Sequence, residues 1–317
     1  MRAVVTGASG FLGRALAQAL HDRGADVVGL DLVPNDAPWP TETADLAEPG
    51  GWQHRLAGAD LVVHAAARVG EAGTWTQFRA QNADATRHVV EAAADAGRLL
   101  HVSSIVVHGR RFPDPCPESH PVQPTGNPYT DTKIAAEHAV LEAAAAGRVR
   151  ATVVRPGDVY GPGSRQWTVR AVQMLKAGQF ALVDGDRGVL SPVFADDVVA
   201  GALAVAEHPA GAGEVFHVTG GVGVPPRTFF GHYARMLGVR LRSVPPGLAR
   251  AAAPVVAGAS RLLGKAPPLS GRTLEYVTHP GTYAIDKIER LVGWRPAVAL
   301  DEGMDRTEAW LQAEGLL

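Results

Sequence analysis

The chain has 317 residues and 46% hydrophobic content, enough for one large core or a core with a smaller appended lobe. Its 30 basic and 32 acidic residues leave a net charge of -2, and no stretch gathers the cations that track a phosphate backbone, which argues against nucleic acid as a partner. A single cysteine, Cys116, excludes an internal disulfide and a Cys-based metal site, and it fits a reducing cytoplasm.

In chain order, Ala3–Val5 is a short apolar run cut off at once by Thr6-Gly7. It reads as a buried strand and not as a secretory leader. Phe11–Arg23 reads as a helix, Val27–Leu30 and Leu61–Val63 as strands, and Phe78–Ala96 as a helix. Leu99–Val102 is a strand, Pro128–Ala146 a helix and Ala151–Val154 a further strand. Apolar, non-alternating strands separated by helices indicate an α/β fold, a Rossmann-type doubly wound parallel sheet covered on both faces. After Arg155 glycine and proline become frequent, as in Gly161-Pro162-Gly163 and Pro225-Pro226. This part reads as a smaller, interleaved C-terminal substrate lobe. The division expected is 1–165 for nucleotide binding, with 191–220 returning to it, and 166–190 with 221–317 for the lobe. Leu248–Leu263 is apolar, but Arg250, Pro254 and Arg261 interrupt it, so it falls short of a membrane span. The twelve histidines show no HExxH pattern, and no metal site is expected.

Gly7, Gly10 and Gly13 lie in Thr6–Gly13, between the first strand and the first helix. The spacing is GxxGxxG. A tight strand-to-helix turn, a close approach of pyrophosphate to backbone, and close packing of helix on strand each need a residue without Cβ. The N–H groups opening the helix, from Phe11 and Leu12 onward, then face the phosphates. Asp31 ends the second strand roughly 20 residues past the loop, where a carboxylate accepts from the adenosine ribose hydroxyls. It would repel a 2′-phosphate, and neither Ala8 nor Leu32 supplies an offsetting cation. The cofactor expected is therefore NAD, not NADP.

Tyr129 and Lys133 stand at i and i+4 on one face of the third helix. An ammonium beside a phenol favours the phenolate and pulls its pKa down. Such a tyrosine passes a proton to or from a substrate oxygen as hydride moves. Ser103 and Ser104 follow the strand Leu99–Val102, at the carboxyl end where parallel sheets bind ligands.

These segments together resemble the extended short-chain dehydrogenase/reductase family, which includes the NAD-dependent epimerase/dehydratases. Further matching positions are Asp45-Leu46, His64 to Ala67, Asn82, Arg155-Pro156, Tyr160-Gly161-Pro162, Asp196-Asp197-Val198 and Gly293-Trp294-Arg295-Pro296. The resemblance implies that Ser104, Tyr129 and Lys133 are catalytic, Ser104 by its match to the family's Ser-x-x-x-x-Gly pattern ending at Gly109. It implies cofactor contacts at Asp45 and Leu46 for the adenine, Ala65, Ala66 and Ala67 along the dinucleotide, and Pro156 beside the nicotinamide. Lys133 would also hold the nicotinamide ribose, and Asn82 would stabilise the centre near the site. A homodimer joined through the helices of Phe78–Ala96 and Pro128–Ala146 is implied as well.

Two departures concern the substrate. Members that bind nucleotide sugars carry Asn where Asp158 stands, and Arg where Leu190 stands, although Arg187 is close. An aspartate would repel a diphosphate. The later part of the chain is similar to the 3β-hydroxysteroid and sterol dehydrogenase branch, with Pro245-Pro246 before an apolar stretch and Tyr283 in a strand-like run before Lys287. The expectation is hydride transfer between NAD and a hydrophobic secondary alcohol or ketone. The apolar content of the lobe reads equally as ordinary core packing. A nucleotide-sugar epimerase or dehydratase and a non-catalytic NAD-sensing protein remain the alternatives.

Overall fold

The computed structural model describes residues 1–70, 72–183, 188–245, 247–249, 251–252 and 281–317. Seven strands form the central sheet: β1 (Arg2–Thr6), β2 (Asp26–Asp31), β3 (Thr41–Thr43), β4 (Leu61–His64), β5 (Leu99–Val102), β6 (Ala151–Pro156) and, later in the chain, β10 (Val215–Val218). Their order is β10-β6-β5-β4-β1-β2-β3, and all pairs are parallel. The chain runs outward from β1 in one direction through β2 and β3 and in the other through β4 to β10. Between β1 and β4 the connections diverge, which opens a crevice at the carboxyl ends of the strands.

Successive strand residues point to opposite faces. Ala3 and Val5 join Leu16, Ala17, Val198 and Leu203 in one core cluster, whereas Val4 joins Val62, Val89 and Val140 in another. The first layer holds α1 (Phe11–Asp22) and α5 (Ala195–Glu207), the second α2 (75–92) and α3 (Pro128–Ala145). Because both faces are covered, the strands carry unbroken β-branched runs. The doubly wound fold expected from the sequence is the one observed.

The helix expected over Phe78–Ala96 differs in detail. It begins earlier and ends sooner. As α2 it comprises Trp75–Phe78, a π-helical turn Arg79–Asp84, and Ala85–Ala92. Thr74 caps it, its hydroxyl accepting from the Gln77 N–H at 3.2 Å. The π turn carries one extra residue per turn and directs Asn82 and Ala83 inward.

Residues after β6 build the second layer of structure above the crevice. β7 (Asp158–Tyr160) pairs with β9 (Pro192–Phe194), and β8 (Ala181–Val183) with β11 (Arg242–Val244). These pack with α4 (Arg170–Lys176), α6 (Pro226–Met236) and α8 (Leu300–Ala313) around Tyr160, Phe194, Phe229 and Tyr233. The helix α7 (Asp286–Val292) ends on Gly293 in the left-handed region, φ 71°. Trp294 then turns into the core, where a Cβ on Gly201 would lie 2.9 Å from its ring. The Asp197 carboxylate at the start of α5 accepts from the Ala297 and Val298 N–H groups at 2.8 and 3.1 Å. Two motifs about a hundred residues apart thus close on one another.

Tyr283, expected in a strand, makes only an isolated bridge to Cys116. Most of Leu248–Leu263, with Pro246 and Arg187, lies outside the described residues. Among the described residues no helix is long and apolar enough to cross a membrane.

Candidate active site

The glycine loop is built by close backbone approach. Gly7 has φ +72°, and its N–H donates to the Leu30 carbonyl at 2.8 Å. A Cβ there would sit 2.7 Å from the Ala66 nitrogen, and one on Gly13 would sit 2.0 Å from the Gly7 carbonyl oxygen. Gly10 caps α1 without a side chain, and the first intrahelical bond runs from Arg14 to Gly10 at 2.8 Å. The N–H groups of Phe11, Leu12 and Gly13 therefore open into the cleft, at the positive end of the helix dipole. This cradle, kept clear of Cβ atoms, fits the diphosphate of a dinucleotide. Asn35 braces it from outside, its amide donating to the Ala8 carbonyl and the Ser9 hydroxyl at 3.1 Å each. No sequence pattern marked Asn35.

Asp31 closes the same cleft beside Leu32 and Val33. Its two oxygens accept from the Ser9 and Val33 N–H groups at 2.9 and 3.0 Å. Each oxygen keeps a further lone pair for a ribose hydroxyl. Asp45 and Leu46 line the cleft farther on, the Asp45 carboxylate accepting from the Ala47 N–H at 2.9 Å. Ala65, Ala66 and Ala67 line its middle.

Ser104, Tyr129, Lys133 and Pro156 meet at the other end of the same cleft. Three elements supply them. Ser104 caps the short turn after β5, accepting from the Val106 N–H at 3.4 Å. Tyr129 sits in the first turn of α3, where the Asn127 side chain accepts from the Tyr129 N–H at 2.9 Å and Pro128 occupies the first helical position. The Asp131 carboxylate ties in the preceding loop through Thr125 and Gly126 at 2.8 and 3.0 Å. The two serines are now distinguished. Ser104 hydrogen-bonds Tyr129, whereas the Ser103 hydroxyl donates to Glu137 at 2.7 Å.

The electrostatics differ from the expectation in one respect. Burial is the dominant effect on Tyr129 and pushes its phenol up, with the Ser104 hydrogen bond opposing it. Burial outweighs any pull of the Lys133 ammonium on the phenol. Lys133 Nζ donates to the Val102 carbonyl at 2.6 Å, and burial pushes its ammonium down to about 8, against the pull of Glu137.

Asn82 is placed beside the cleft and not in it. It is 1% exposed. Its Oδ1 accepts from the Arg68 N–H at 2.7 Å, and its Nδ2 donates to the Arg68 carbonyl and to Thr132 at 3.2 and 3.0 Å. With every polar atom engaged, Asn82 locks the loop after β4 to α3. Asn82 was expected among the cofactor contacts, and in this structure its amide hydrogens are engaged by Arg68 and Thr132. His64 is structural in the same way, its ring bonded to Thr6 and Thr86 at 2.7 and 2.9 Å. Cys116 is fully buried, and burial pushes its thiol up to about 12, which leaves it inert as a nucleophile.

Known proteins are similar to this chain in sequence and fold. The profile of the NAD dependent epimerase/dehydratase family matches residues 3–219. A 4-hydroxy-2-methyl-3-oxo-4-farnesyl-3,4-dihydroquinoline-1-oxide ketoreductase of Stigmatella aurantiaca is 33% identical, over 96% of this chain and 95% of its own. A 2-alkyl-3-oxoalkanoate reductase of Stenotrophomonas maltophilia is 29% identical, over 98% and 99%. Among solved structures, a dTDP-glucose 4,6-dehydratase of Streptomyces venezuelae with NAD bound superposes with a TM-score of 0.79 at 25% identity, covering 100% of both chains. A match over most of the central sheet, together with relatives spanning the whole length, shows that the chain belongs to the NAD-dependent epimerase/dehydratase family of extended short-chain dehydrogenases/reductases.

Proposed function

We propose that this enzyme transfers hydride between NAD and a hydrophobic secondary alcohol or ketone, with Tyr129 as its acid/base. When bound, NAD supplies the hydride acceptor or donor at the nicotinamide. Tyr129 exchanges the proton with the substrate oxygen. Ser104 hydrogen-bonds the same oxygen, and Lys133 holds the nicotinamide ribose and lends positive charge below the phenol. The carrying observation is the lining of the cleft beyond Ser104 and Tyr129. Phe112, Trp167, Met174, Phe180, Val183 and Tyr283 line it, beside polar residues that include Arg165 and Arg170, and the apolar group suits a hydrophobic substrate body with one polar oxygen at the catalytic end. The names of the two relatives, reductases of oxo compounds that carry a farnesyl or an alkyl group, support the same reading.

Nucleotide-sugar chemistry is the weaker reading. Asp158 lines the cleft as a buried carboxylate, held by the Ser191 N–H at 2.8 Å. A diphosphate brought beside it would meet like charge in a low dielectric. Leu190 is 1% exposed and paired to Val224 through the backbone, so it offers no cation in compensation.

The test is NADH absorbance with panels of hydroxysteroids, aliphatic alcohols, their ketones and 3-oxo acids. Turnover on an apolar member and none on nucleotide sugars is expected. The opposite pattern would overturn the proposal.

Cofactor choice rests on Asp31. Asp31→Asn keeps an acceptor for the loop and removes the charge. Its preference for NAD over NADP is expected to fall by about tenfold or more, since a charged hydrogen bond contributes about 1.5–3 kcal/mol. An unchanged ratio of kcat/KM for the two cofactors would refute a role for Asp31 in discrimination.

The same reading includes a homodimer through α2 and α3. The α3 sequence is rich in alanine around its circumference, so a neighbouring helix can approach closely. Light scattering in solution is expected to give twice the chain mass. A monomer across the accessible concentration range would remove the dimer.

A further inference from the structure

Glu137 takes no part in the chemistry above, yet it is 1% exposed. It stands one helical turn beyond Lys133 on α3. The two side chains end at consecutive residues of one strand terminus. Lys133 donates to the Val102 carbonyl at 2.6 Å, and Ser103 donates to Glu137 Oε2 at 2.7 Å. From β6, Arg155 clamps the carboxylate. Its Nε donates to Oε2 at 3.1 Å, and a terminal nitrogen forms an ion pair with Oε1. The other terminal nitrogen donates to the Glu118 carbonyl at 3.0 Å and approaches His108 Nε2 at 3.1 Å. Held on both oxygens, the carboxylate has one position.

A buried ammonium is costly unless opposite charge lies near it. Tyr129 faces Lys133 from the preceding turn of α3. His64 faces it from β4 and His101 from β5, and both imidazoles are held neutral by burial and by the ammonium itself. None of the three is an anion at neutral pH. Glu137 is the carboxylate that acts on Lys133. Arg155 is the remaining cation of the cluster, and its charge is directed at Glu137.

We propose that Glu137 is a positioning residue: clamped by Ser103 and Arg155, its carboxylate is the buried counter-charge that keeps Lys133 an ammonium beneath Tyr129. The consequence for turnover rests on the proposed function, whereas the protonation of Lys133 is readable on the protein alone. Without the carboxylate, burial is unopposed and the lysine loses its proton at lower pH. Tyr129 then loses the positive charge that favours its phenolate.

The chain has four lysines, Lys133, Lys176, Lys265 and Lys287, few enough to follow singly by NMR with label at Nζ. Lys133→Arg assigns the signal. In Glu137→Gln the Lys133 midpoint is expected to fall by about one pH unit. Lys287, which pairs with Glu214 at 2.7 Å, should not move. The alkaline limb of kcat/KM for ketone reduction, set by ionisation of the phenol, should move to higher pH as the Lys133 charge is lost, a response that a purely structural role for Glu137 would not produce. Glu137→Gln strands the Arg155 charge, so the variant is compared with Glu137→Gln/Arg155→Met, which removes the pair together. A smaller downward shift is expected there, because the Arg155 charge that opposes Glu137 is removed with it. An unchanged Lys133 midpoint in either folded variant overturns the proposal. Absence of turnover on every ketone in the wild-type protein would instead overturn the oxidoreductase reading and leave the titration standing.

Discussion

Replacing Tyr129 with Phe is expected to lower kcat by about 10²–10⁴-fold, the range of a positioned general acid or base. NAD affinity should stay at the wild-type value. The substitution removes one oxygen at the catalytic end of the cleft, where Ser104 is its hydrogen-bond partner. It leaves the ring in place, and the Asn127 cap of α3 acts through the Tyr129 backbone N–H, which is retained. Folding is therefore preserved. The direction of the phenol shift adds a pH expectation. Burial raises the Tyr129 pKa, so the phenol stays protonated through neutral pH and is ready to donate during ketone reduction. Reduction should be flat across neutral pH and decline once the phenol ionises. Oxidation needs the phenolate and should rise over the same alkaline interval. Steady-state rates in both directions, with NAD binding followed by protein fluorescence, check this. A Tyr129→Phe enzyme that keeps turnover close to wild type would remove Tyr129 from the acid/base role.

The largest structural effect is expected from Gly13→Ala. An added Cβ would lie 2.0 Å from the Gly7 carbonyl oxygen and 2.6 Å from the Gly7 carbonyl carbon. Both are backbone atoms that cannot rotate aside. Overpacking of this kind costs about 3 kcal/mol or more, and it is relieved by separating α1 from the glycine loop. That movement carries away the N–H groups of Phe11 and Leu12 that face the cleft. NAD affinity is expected to fall by about 100-fold, the equivalent of roughly 2.8 kcal/mol, with a lowered Tm. Gly231→Ala is the matched control. Gly231 lies inside α6, and nothing stands within 4 Å of its added Cβ. There the change should stabilise by about 0.5–1 kcal/mol. Calorimetric NAD titration and thermal unfolding of the two variants measure the contrast. Wild-type NAD affinity in Gly13→Ala would show that the loop does not carry the cofactor phosphates.

Much of this site was legible before the fold because its signals are local. A glycine triplet between strand and helix, a carboxylate at the next strand end and a Tyr-x-x-x-Lys spacing each lie within one or two elements, where backbone geometry sets the side-chain direction. Other features were not legible for equally physical reasons. The π turn at Arg79–Asp84 slips the helical period by one residue, too little to disturb a pattern of apolar positions. The roles of Ser103 and Ser104 separate only once Glu137 approaches the first. The tyrosine shift was expected with the opposite sign, because burial, a property of the whole fold, outweighs the lysine one turn away.

By itself, then, the amino-acid sequence determined the alternation of strands and helices, the glycine loop between the first strand and helix, and the choice of Ser104, Tyr129 and Lys133, which line one cleft with that loop. Periodicity and short-range sterics act within a few residues and leave their mark there. Only the tertiary structure decided what surrounds those residues. It brought Asp197 to the backbone of Ala297 and Val298, tied Asn82 to Arg68 and Thr132, and joined Glu137 to Arg155. Desolvation and ion pairing depend on which distant segments exclude water from a group, and that exclusion exists only after the sheet and its covering helices have closed.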